Sequence, residues 1–363
     1  MVPKEPDEVW GMTKYEVHMK KINTKDAVGH VLCHDITRII PGVEKGPVFK
    51  KGHVVTEEDI PVLLSVGKEH LYVWEKSEGM LHEDEAAEIL RDICMADSTL
   101  MKATAPSEGK IEIVAGIDGV LKIRRDALQK VNSLGEMMIA TVHGDFPVRK
   151  GDKLAGTRII PLVIEEEKMQ RAREVAGKEA ILSILTFKHV NYGLIVTGNE
   201  VAGGLIEDKF GPVIKSKMAE YDTECMGQVT LPDDRDRIIS AIKAYADQGA
   251  DMIICSGGMS VDPDDKTPGA IKDTGAEVIS YGAPVLPGAM FLLAYLKNKN
   301  GNDIPVLGLP GCVMYAKRTV FDLVLPRILA GEKLSAEDLA VYGEGGLCLS
   351  CDKCHFPNCG FGK

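Results

Sequence analysis

The sequence predicts an α/β protein in which a mostly parallel, three-layer sheet is preceded by smaller, β-rich α+β regions. Three observations predict it. From Tyr192 to about Leu329, short apolar runs alternate with stretches of helical periodicity, the pattern of parallel strands covered by helices on both faces. Several of those runs end in a turn rich in glycine or proline. Residues before 185 instead read as short strands broken by Lys-Gly and Asp-Gly turns, with few helices between them.

Composition bounds the function. At 363 residues the chain is too long for one core and calls for two or three domains. A hydrophobic share of 45% with 27% charged residues is ordinary for a soluble globular protein. No apolar run reaches the ~20 residues that span a bilayer. The first residues, MVPKEPDEVWGM, lack the basic start and apolar core of a secretory signal. A formal charge of −11 argues against nucleic acid or an acidic membrane as the main partner, while leaving room for a small anionic ligand. Cys33, Cys94, Cys225, Cys255 and Cys312 lie scattered in apolar surroundings and read as reduced core residues. Together these features indicate a cytoplasmic protein.

Four regions are expected: a small β-rich domain (1–78), a second α+β region with a linker helix (79–185), an α/β domain (186–335) and a cysteine-rich tail (336–363). In the first, Tyr15–Lys20 alternates like a strand and Asn23-Thr24 starts a helical turn. Turns are expected at Lys45-Gly46 and Lys51-Gly52. Thr56 to Asp59 resembles a capping box ahead of the apolar face Ile60, Leu63 and Leu64, and His70–Trp74 reads as a strand. A boundary follows near Lys76–Met80. In the second region an acidic helix is expected over 81–95, and a hairpin over 111–124 closing through Asp118-Gly119. A helix near 125–133, strands at 137–142 and 158–164, and a charged helix over 165–182 complete it. Nothing catalytic is evident before residue 185; His143 and Asp145 read as surface residues beside a turn.

In the third region the predicted strands at 193–196, 229–231, 251–255 and 304–307 alternate with helices at 212–226, 235–248 and onward from Thr267, with a strand at 277–280. A hairpin is expected around Asn298–Asp303, and an apolar helix runs to about Leu329. In open α/β sheets the carboxyl ends of the strands converge on one rim, where ligands bind. That convergence brings Thr197-Gly198-Asn199-Glu200, Pro232-Asp233-Asp234 and the stretch from Ser256 to Asp265 together. The central stretch, IICSGGMSVDPDDKTPGA, passes from a buried strand into Ser256-Gly257-Gly258, where the backbone turns sharply or admits a ligand. Asp262, Asp264 and Asp265 follow, then a helix start at Thr267-Pro268. Carboxylates beside an anion-binding turn suggest a divalent cation between them and a phosphate. The plainer alternative is an acidic surface loop that caps a helix.

Taken together, TGNE at Thr197, PDD at Pro232, SGGMSVDPDDKTPGA at Ser256, LPG at Leu286 and GLPG at Gly308 resemble the molybdopterin-binding domain. That domain is shared by molybdopterin molybdotransferases (the MoeA and gephyrin E-region type), molybdopterin adenylyltransferases and competence-damage proteins. The resemblance covers about 188–330, and the β-rich extension ahead of it resembles the molybdotransferases in particular. It implies a homodimer that inserts molybdate into adenylated molybdopterin, with magnesium-assisted loss of AMP. Asp265 and Asp233 or Asp234 then match residues near the magnesium and the pterin phosphate, with Asp262 beside them. Thr197, Gly198, Asn199, Glu200, Ser256, Gly257, Gly258, Met259, Ser260, Pro310 and Gly311 match the wall of the ligand site. Lys215, Lys217 and Lys266 are candidates for positive charge. Three departures stand out: Asn199 and Cys312 occupy positions where the family has Asp and Asn, and no SAMDGYA-like motif is present. They leave room for a non-catalytic molybdopterin carrier or sensor.

The tail carries Cys348, Cys351, Cys354 and Cys359 within twelve residues. In a cytosolic chain such a run favours a metal over disulfides. The spacing lacks the long gap of a zinc ribbon and is nearer to compact iron–sulfur runs, although without their Cys-Pro ending. An iron–sulfur cluster, zinc and a flexible or redox-active tail all remain open, with His355 as an alternative ligand. Docking on a molybdoenzyme is a further role the tail suggests.

Overall fold

The computed structural model describes residues 19–40, 44–74, 79–96, 99–260, 262 and 265–363. It divides the chain into two compact units. The first is Met1–Gly116 with Ile123–Val142 and Gly151–Ser183; the second is Ile117–Lys122 and His143–Lys150 with Ile184–Lys363.

In the first unit, β1 (Met19–Asn23) pairs with β4 (His70–Trp74), and β2 (Ile36–Ile40) with β3 (Glu44–Phe49), both antiparallel. With α1 (Asp59–Ser65) they enclose a small core of Ala27, Leu32, Ile36, Val55, Leu63 and Leu71. Thr56 N and Oγ1 both donate to Asp59 Oδ2 at 2.9 Å, but the helix begins only at Asp59, behind Glu58 and without a side-chain cap, so the expected capping box forms a turn ahead of the helix. The predicted strand at Tyr15 lies outside the described residues up to residue 18; its last residues form the start of β1. The boundary residues 76–78 also lie outside them. Lys45-Gly46 is not a turn. Gly46 pairs with Arg38 within the β2–β3 ladder, where cross-strand bonding outweighs the local turn preference of glycine.

The chain continues through β5 (Met80–His82), α2 (Glu83–Cys94), β6 (Met101–Ala103), β7 (Lys110–Ala115), β8 (Gly119–Ile123), α3 (Arg125–Asn132), β9 (Met137–Thr141), β10 (Pro147–Val148), β11 (Lys153–Ile159), β12 (Val163–Glu165), α4 (Glu166–Ala176) and β13 (Leu182–Thr186). The expected hairpin through Asp118-Gly119 does not form. β7 joins the sheet β6-β7-β11-β9, whereas β8 lies between β10 and β13. A Cβ on Gly119 would lie 2.4 Å from Leu185 O, so this glycine serves close strand packing rather than a turn. The predicted strand at 158–164 is split between β11 and β12, and α4 stops before Gly177, whose φ of +80° ends it earlier than 182.

His82 caps α2. Its Nε2 donates to Cys33 O at 2.8 Å, while Nδ1 accepts from Asp84 N at 3.2 Å and faces Lys51 Nζ at 2.8 Å. Beside it, burial first and the charge of Asp84 second push the Glu83 carboxyl from its ordinary 4.5 up to about 7. A carboxyl raised in the folded state costs stability as pH rises from 4.5 through about 7. Glu83→Gln is therefore expected to stabilise the protein by about 1–3 kcal/mol at pH 8 and by little at pH 4.5. Denaturant melts at the two pH values check this, and an equal effect at both would contradict it.

The second unit is built on β14 (Val190–Thr197), β15 (Thr223–Leu231), β16 (Met252–Ser256), β17 (Glu277–Tyr281), β18 (Leu292–Lys297) and β19 (Asp303–Leu309). Their order is β15-β14-β16-β19-β18-β17. β14 runs parallel to β15 and β16, and β16 parallel to β19; β18 is antiparallel to both of its neighbours. Alternate residues serve opposite faces. Leu194, Val196, Ile254 and Leu307 pack with Ile214 of α6 (Phe210–Met218) and Val324 of α9 (Val320–Leu329). Ile195, Ile253, Cys255 and Val306 pack with Ile242 of α7 (Arg235–Asp247) and Ile271 of α8 (Thr267–Asp273). This is the predicted three-layer, mostly parallel sheet, including the hairpin around 298–303. The short α5 (Asn199–Ala202) and α10 (Ala336–Ala340) complete the unit.

As with α4, one helix of this unit is shorter than expected. The helix predicted over 212–226 ends at Met218, and residues from Thr223 join β15. Gly227 does not stop a helix; it pairs with Gly193 of β14. Both glycines clear space for Tyr245. A Cβ on Gly193 would come within 2.4 Å of the Tyr245 ring, and one on Gly227 within 3.3 Å of its hydroxyl. Gly193→Ala is expected to cost about 1–3 kcal/mol by overpacking, read from urea unfolding; an unchanged midpoint would show that the ring yields freely.

Candidate functional site

Register brings the strand ends level. Thr197 lies opposite Leu231, Val196 opposite Ser256, and Ser256 opposite Leu309. The loops after β14, β15, β16 and β19 therefore leave from one edge of the sheet, as the sequence pattern predicted. At its centre Gly257 and Gly258 have φ of +94° and +54°. A Cβ on Gly257 would sit 2.1 Å from Thr197 O. One on Gly258 would sit 2.9 Å from Thr267 Oγ1 and 3.1 Å from both Asp233 Oδ1 and Thr197 Oγ1. Thr197 and Thr267, both buried, share a 3.1 Å hydrogen bond beneath this turn.

Two of the four candidate carboxylates meet here. Asp233 and Asn199 are bonded reciprocally: Asn199 N donates to Asp233 Oδ2 at 3.1 Å, and Asp233 N donates to Asn199 Oδ1 at 3.2 Å. The other oxygen, Asp233 Oδ1, is buried and accepts no well-formed hydrogen bond, although the Thr197 hydroxyl lies near enough to lower the Asp233 pKa. Burial is the largest influence on Asp233 and raises its pKa; the charges of Asp265 and Glu200 add to that, against the Asn199 amide. Asp265 Oδ2 accepts from Ser260 N at 2.6 Å, and Asp265 N donates to Asp262 O at 3.0 Å. Asp262 is exposed, and Asp264 lies outside the described residues. Asp234 is used otherwise, because its Oδ1 caps α7 by accepting from Arg237 N at 3.1 Å.

The remaining candidates divide similarly. Gly198 donates its N–H to Leu231 O at 3.1 Å and leads into α5, where Glu200 is exposed. Ser256 Oγ is buried without a partner. Met259 is buried, and its thioether fills the space that a Cβ on Gly308 would need. Pro310 precedes a short 3-10 turn, Gly311–Met314, and nothing crowds Gly311. The apolar helix starts only at Val320, behind a Thr319–Asp322 capping box. Lys217 does not offer its charge to the rim: its Nζ lies 2.7 and 2.9 Å from the two Asp322 oxygens and 2.9 Å from Lys317 O. Lys215 is exposed, and Lys266 is partly exposed at the start of α8.

Tyr281 was not singled out from the sequence. Its hydroxyl donates to Met259 O at 2.8 Å, and burial with the nearby Asp265 charge raises its pKa. No local signal marks it, because its place follows from β17 folding in as the edge strand of the sheet.

The tail is folded against this unit. Leu286 N donates to Gly346 O and Cys348 N to Leu286 O, each at 2.8 Å, and Phe361 is buried in the core. Cys348 and Cys359 pack on that core, whereas Cys351 and Cys354 are exposed. Among the described residues no group of three or more His, Cys, Asp or Glu is arranged to hold a metal ion, so the structure does not gather the four thiols around one point.

Because its carboxyl is raised, Asp233 weakens the fold when ionised. Asp233→Asn is expected to raise stability modestly at pH 7. Thermal melts at pH 7 and pH 4 test this, since the gain should shrink in acid.

Residues 193–330 match a domain family described as "Probable molybdopterin binding domain", and residues 21–75 match one described as "Domain of unknown function". A CinA-like protein of Mycolicibacterium vanbaalenii is 41% identical over 76 residues, 21% of this chain and 18% of that protein. The chain thus matches less than a fifth of that relative's length. Among solved structures, the molybdopterin biosynthesis enzyme MoaB of Thermus thermophilus is 19% identical with a TM-score of 0.32, covering 39% of this chain and 98% of that one. The tungsten cofactor synthesizing protein MoaB of Pyrococcus furiosus is 22% identical with a TM-score of 0.33, covering 39% and 92%. These scores are low, so the likeness that stands is the domain match over 193–330, which falls within the α/β sheet of the second unit.

Proposed function

We propose that the protein acts in molybdenum cofactor biosynthesis, binding adenylated molybdopterin at the rim around Gly257-Gly258 and inserting molybdate as AMP leaves. The observation that supports this most is Asp233 Oδ1, buried beside the Gly258 turn without a well-formed hydrogen bond and with only the Thr197 hydroxyl near it, while the charge of Asp265 acts on Asp233. A buried carboxylate oxygen with so little donation is costly, and a cation or ligand donor reaching it would offset that cost. Asp233 and Asp265 fit a divalent cation such as magnesium, which would supply neutralisation of phosphoanhydride charge. The protein's own contribution is positioning. The Gly257–Ser260 backbone lines the approach, Ser260 N and Tyr281 hold the loop that carries Asp265, and the Pro310-Gly311 turn forms the neighbouring wall. A homodimer, a cytoplasmic location and a molybdoenzyme partner accompany this reading.

One observation favours a carrier or sensor instead. Asn199 stands where the molybdotransferase pattern has an aspartate, and its reciprocal bonds with Asp233 occupy Asp233 Oδ2. A neutral amide there removes a charge that a metal would use. Turnover with adenylated molybdopterin, magnesium and molybdate separates the two readings. AMP release that requires molybdate and falls at least a hundredfold in Asp265→Ala is the expected result. Tight pterin binding by both proteins without any release would establish the carrier.

A further inference from the structure

The C-terminal run of cysteines lies in a closed loop. Gly362 N donates to Gly345 O at 2.9 Å, and Gly345 has no room for a Cβ against Lys363 O. Phe361 plugs the core, and Phe356 packs between Phe146 and Phe361, tilted to the first and edge-on to the second, with ring centroids 5.9 and 6.1 Å away. The loop touches two segments that follow strands of the sheet, one after β17 and one after β19. It bridges to Leu286 in the Leu286-Pro287-Gly288 turn. It also meets the segment after Gly311, where Lys317 Nζ donates to Asp352 O at 2.8 Å and the Arg318 guanidinium lies 5.2 Å from the Phe356 ring. That segment is anchored behind by Lys217, which bonds both Lys317 O and Asp322.

Within this strap the thiols play unequal parts. Cys348 and Cys359 are partly buried on the core, but Cys351 and Cys354 are exposed, and the chain bends at Asp352-Lys353 between them. The carbonyl that holds Lys317 belongs to Asp352, inside this Cys-x-x-Cys unit.

We propose that Cys351 and Cys354 form a thiol–disulfide site for low-molecular-weight disulfides, and that its oxidation loosens the strap from the rim loops. One thiolate attacks the disulfide RSSR and expels RS⁻, giving a mixed disulfide. The second thiolate attacks the protein sulfur of that bond and expels the other RS⁻. Two cysteine thiols are oxidised and one RSSR is reduced to two RSH. An exposed pair at this spacing suits the exchange, whereas buried thiols such as Cys255 are inert. Closing the ring constrains Asp352 and Lys353, which displaces the carbonyl that Lys317 holds and weakens the neighbouring bridge at Leu286.

The test does not depend on the proposed ligand. The full-length protein is treated with bis(2-hydroxyethyl) disulfide, peptides are mapped by mass, and amide hydrogen exchange is followed at Leu286 and Cys348. A Cys351–Cys354 linkage with at least tenfold faster exchange at both amides, reversed by dithiothreitol and absent in Cys351→Ser and in Cys354→Ser, is the expected outcome. A linkage that leaves exchange unchanged overturns the strap mechanism. Disulfides formed instead through Cys348 or Cys359, or a purified protein whose Cys351 and Cys354 are held by stoichiometric zinc or iron, overturn the site itself.

Discussion

The close approach of Gly257 to the Thr197 carbonyl is the constraint on which the second unit's rim depends. With only 2.1 Å available to a Cβ, no other residue fits, and a φ of +94° adds the same demand. The approach ties the end of β16 to the end of β14, and Gly258 extends it to Thr267 and Asp233. Three segments, the ends of β14 and β15 and the start of α8, are thereby held within contact of one turn. Rigidity of this kind is what a binding edge needs, because misplacement by an ångström is costly for recognition and for chemistry alike.

Asp233 shows how the rim trades stability for chemistry. Its buried, unpaired oxygen and raised carboxyl lower the stability of the fold, and a neutral residue would sit there more easily. By contrast, Lys217 and Asp322 are fully engaged: Asp322 accepts from Lys217, Arg318 and Thr319 N, so a buried charge pair is satisfied on every side. The satisfied network fixes the segment behind Gly311, and the unsatisfied oxygen lies against the Gly258 turn. Buried polar groups that are complete act as framework, whereas Asp233 Oδ1 and the Ser256 hydroxyl are left incomplete near the Gly257-Gly258 turn.

The tail belongs to the same mechanical system. Its contacts with Leu286 on one side and with Lys317 and Arg318 on the other span two loops that follow strands of the sheet. Phe361 anchors it by burial, but the exposed polar contacts are individually worth about 1 kcal/mol or less. A strap with one strong anchor and several weak attachments is suited to partial release.

The sequence by itself determined the layered sheet, because alternating apolar runs and helical periods leave few other ways to bury both faces of a strand. It also marked Gly257, Gly258, Asp233 and Asp265, since glycine at a forced turn and carboxylates beside it are local features. Tertiary structure decided everything that depends on which strands pair. Asp118-Gly119 read as a hairpin, yet Leu185 against Gly119 sends β8 to a different sheet from β7. Gly227 read as a helix stop, but Tyr245 needs the space opposite Gly193. Asp234 and Lys217 matched the expected chemistry and went to a helix cap and a buried ion pair, while Tyr281 arrived from an edge strand. A residue's type is written in the chain, but its partner is set by close packing between segments far apart in sequence, which no local pattern encodes.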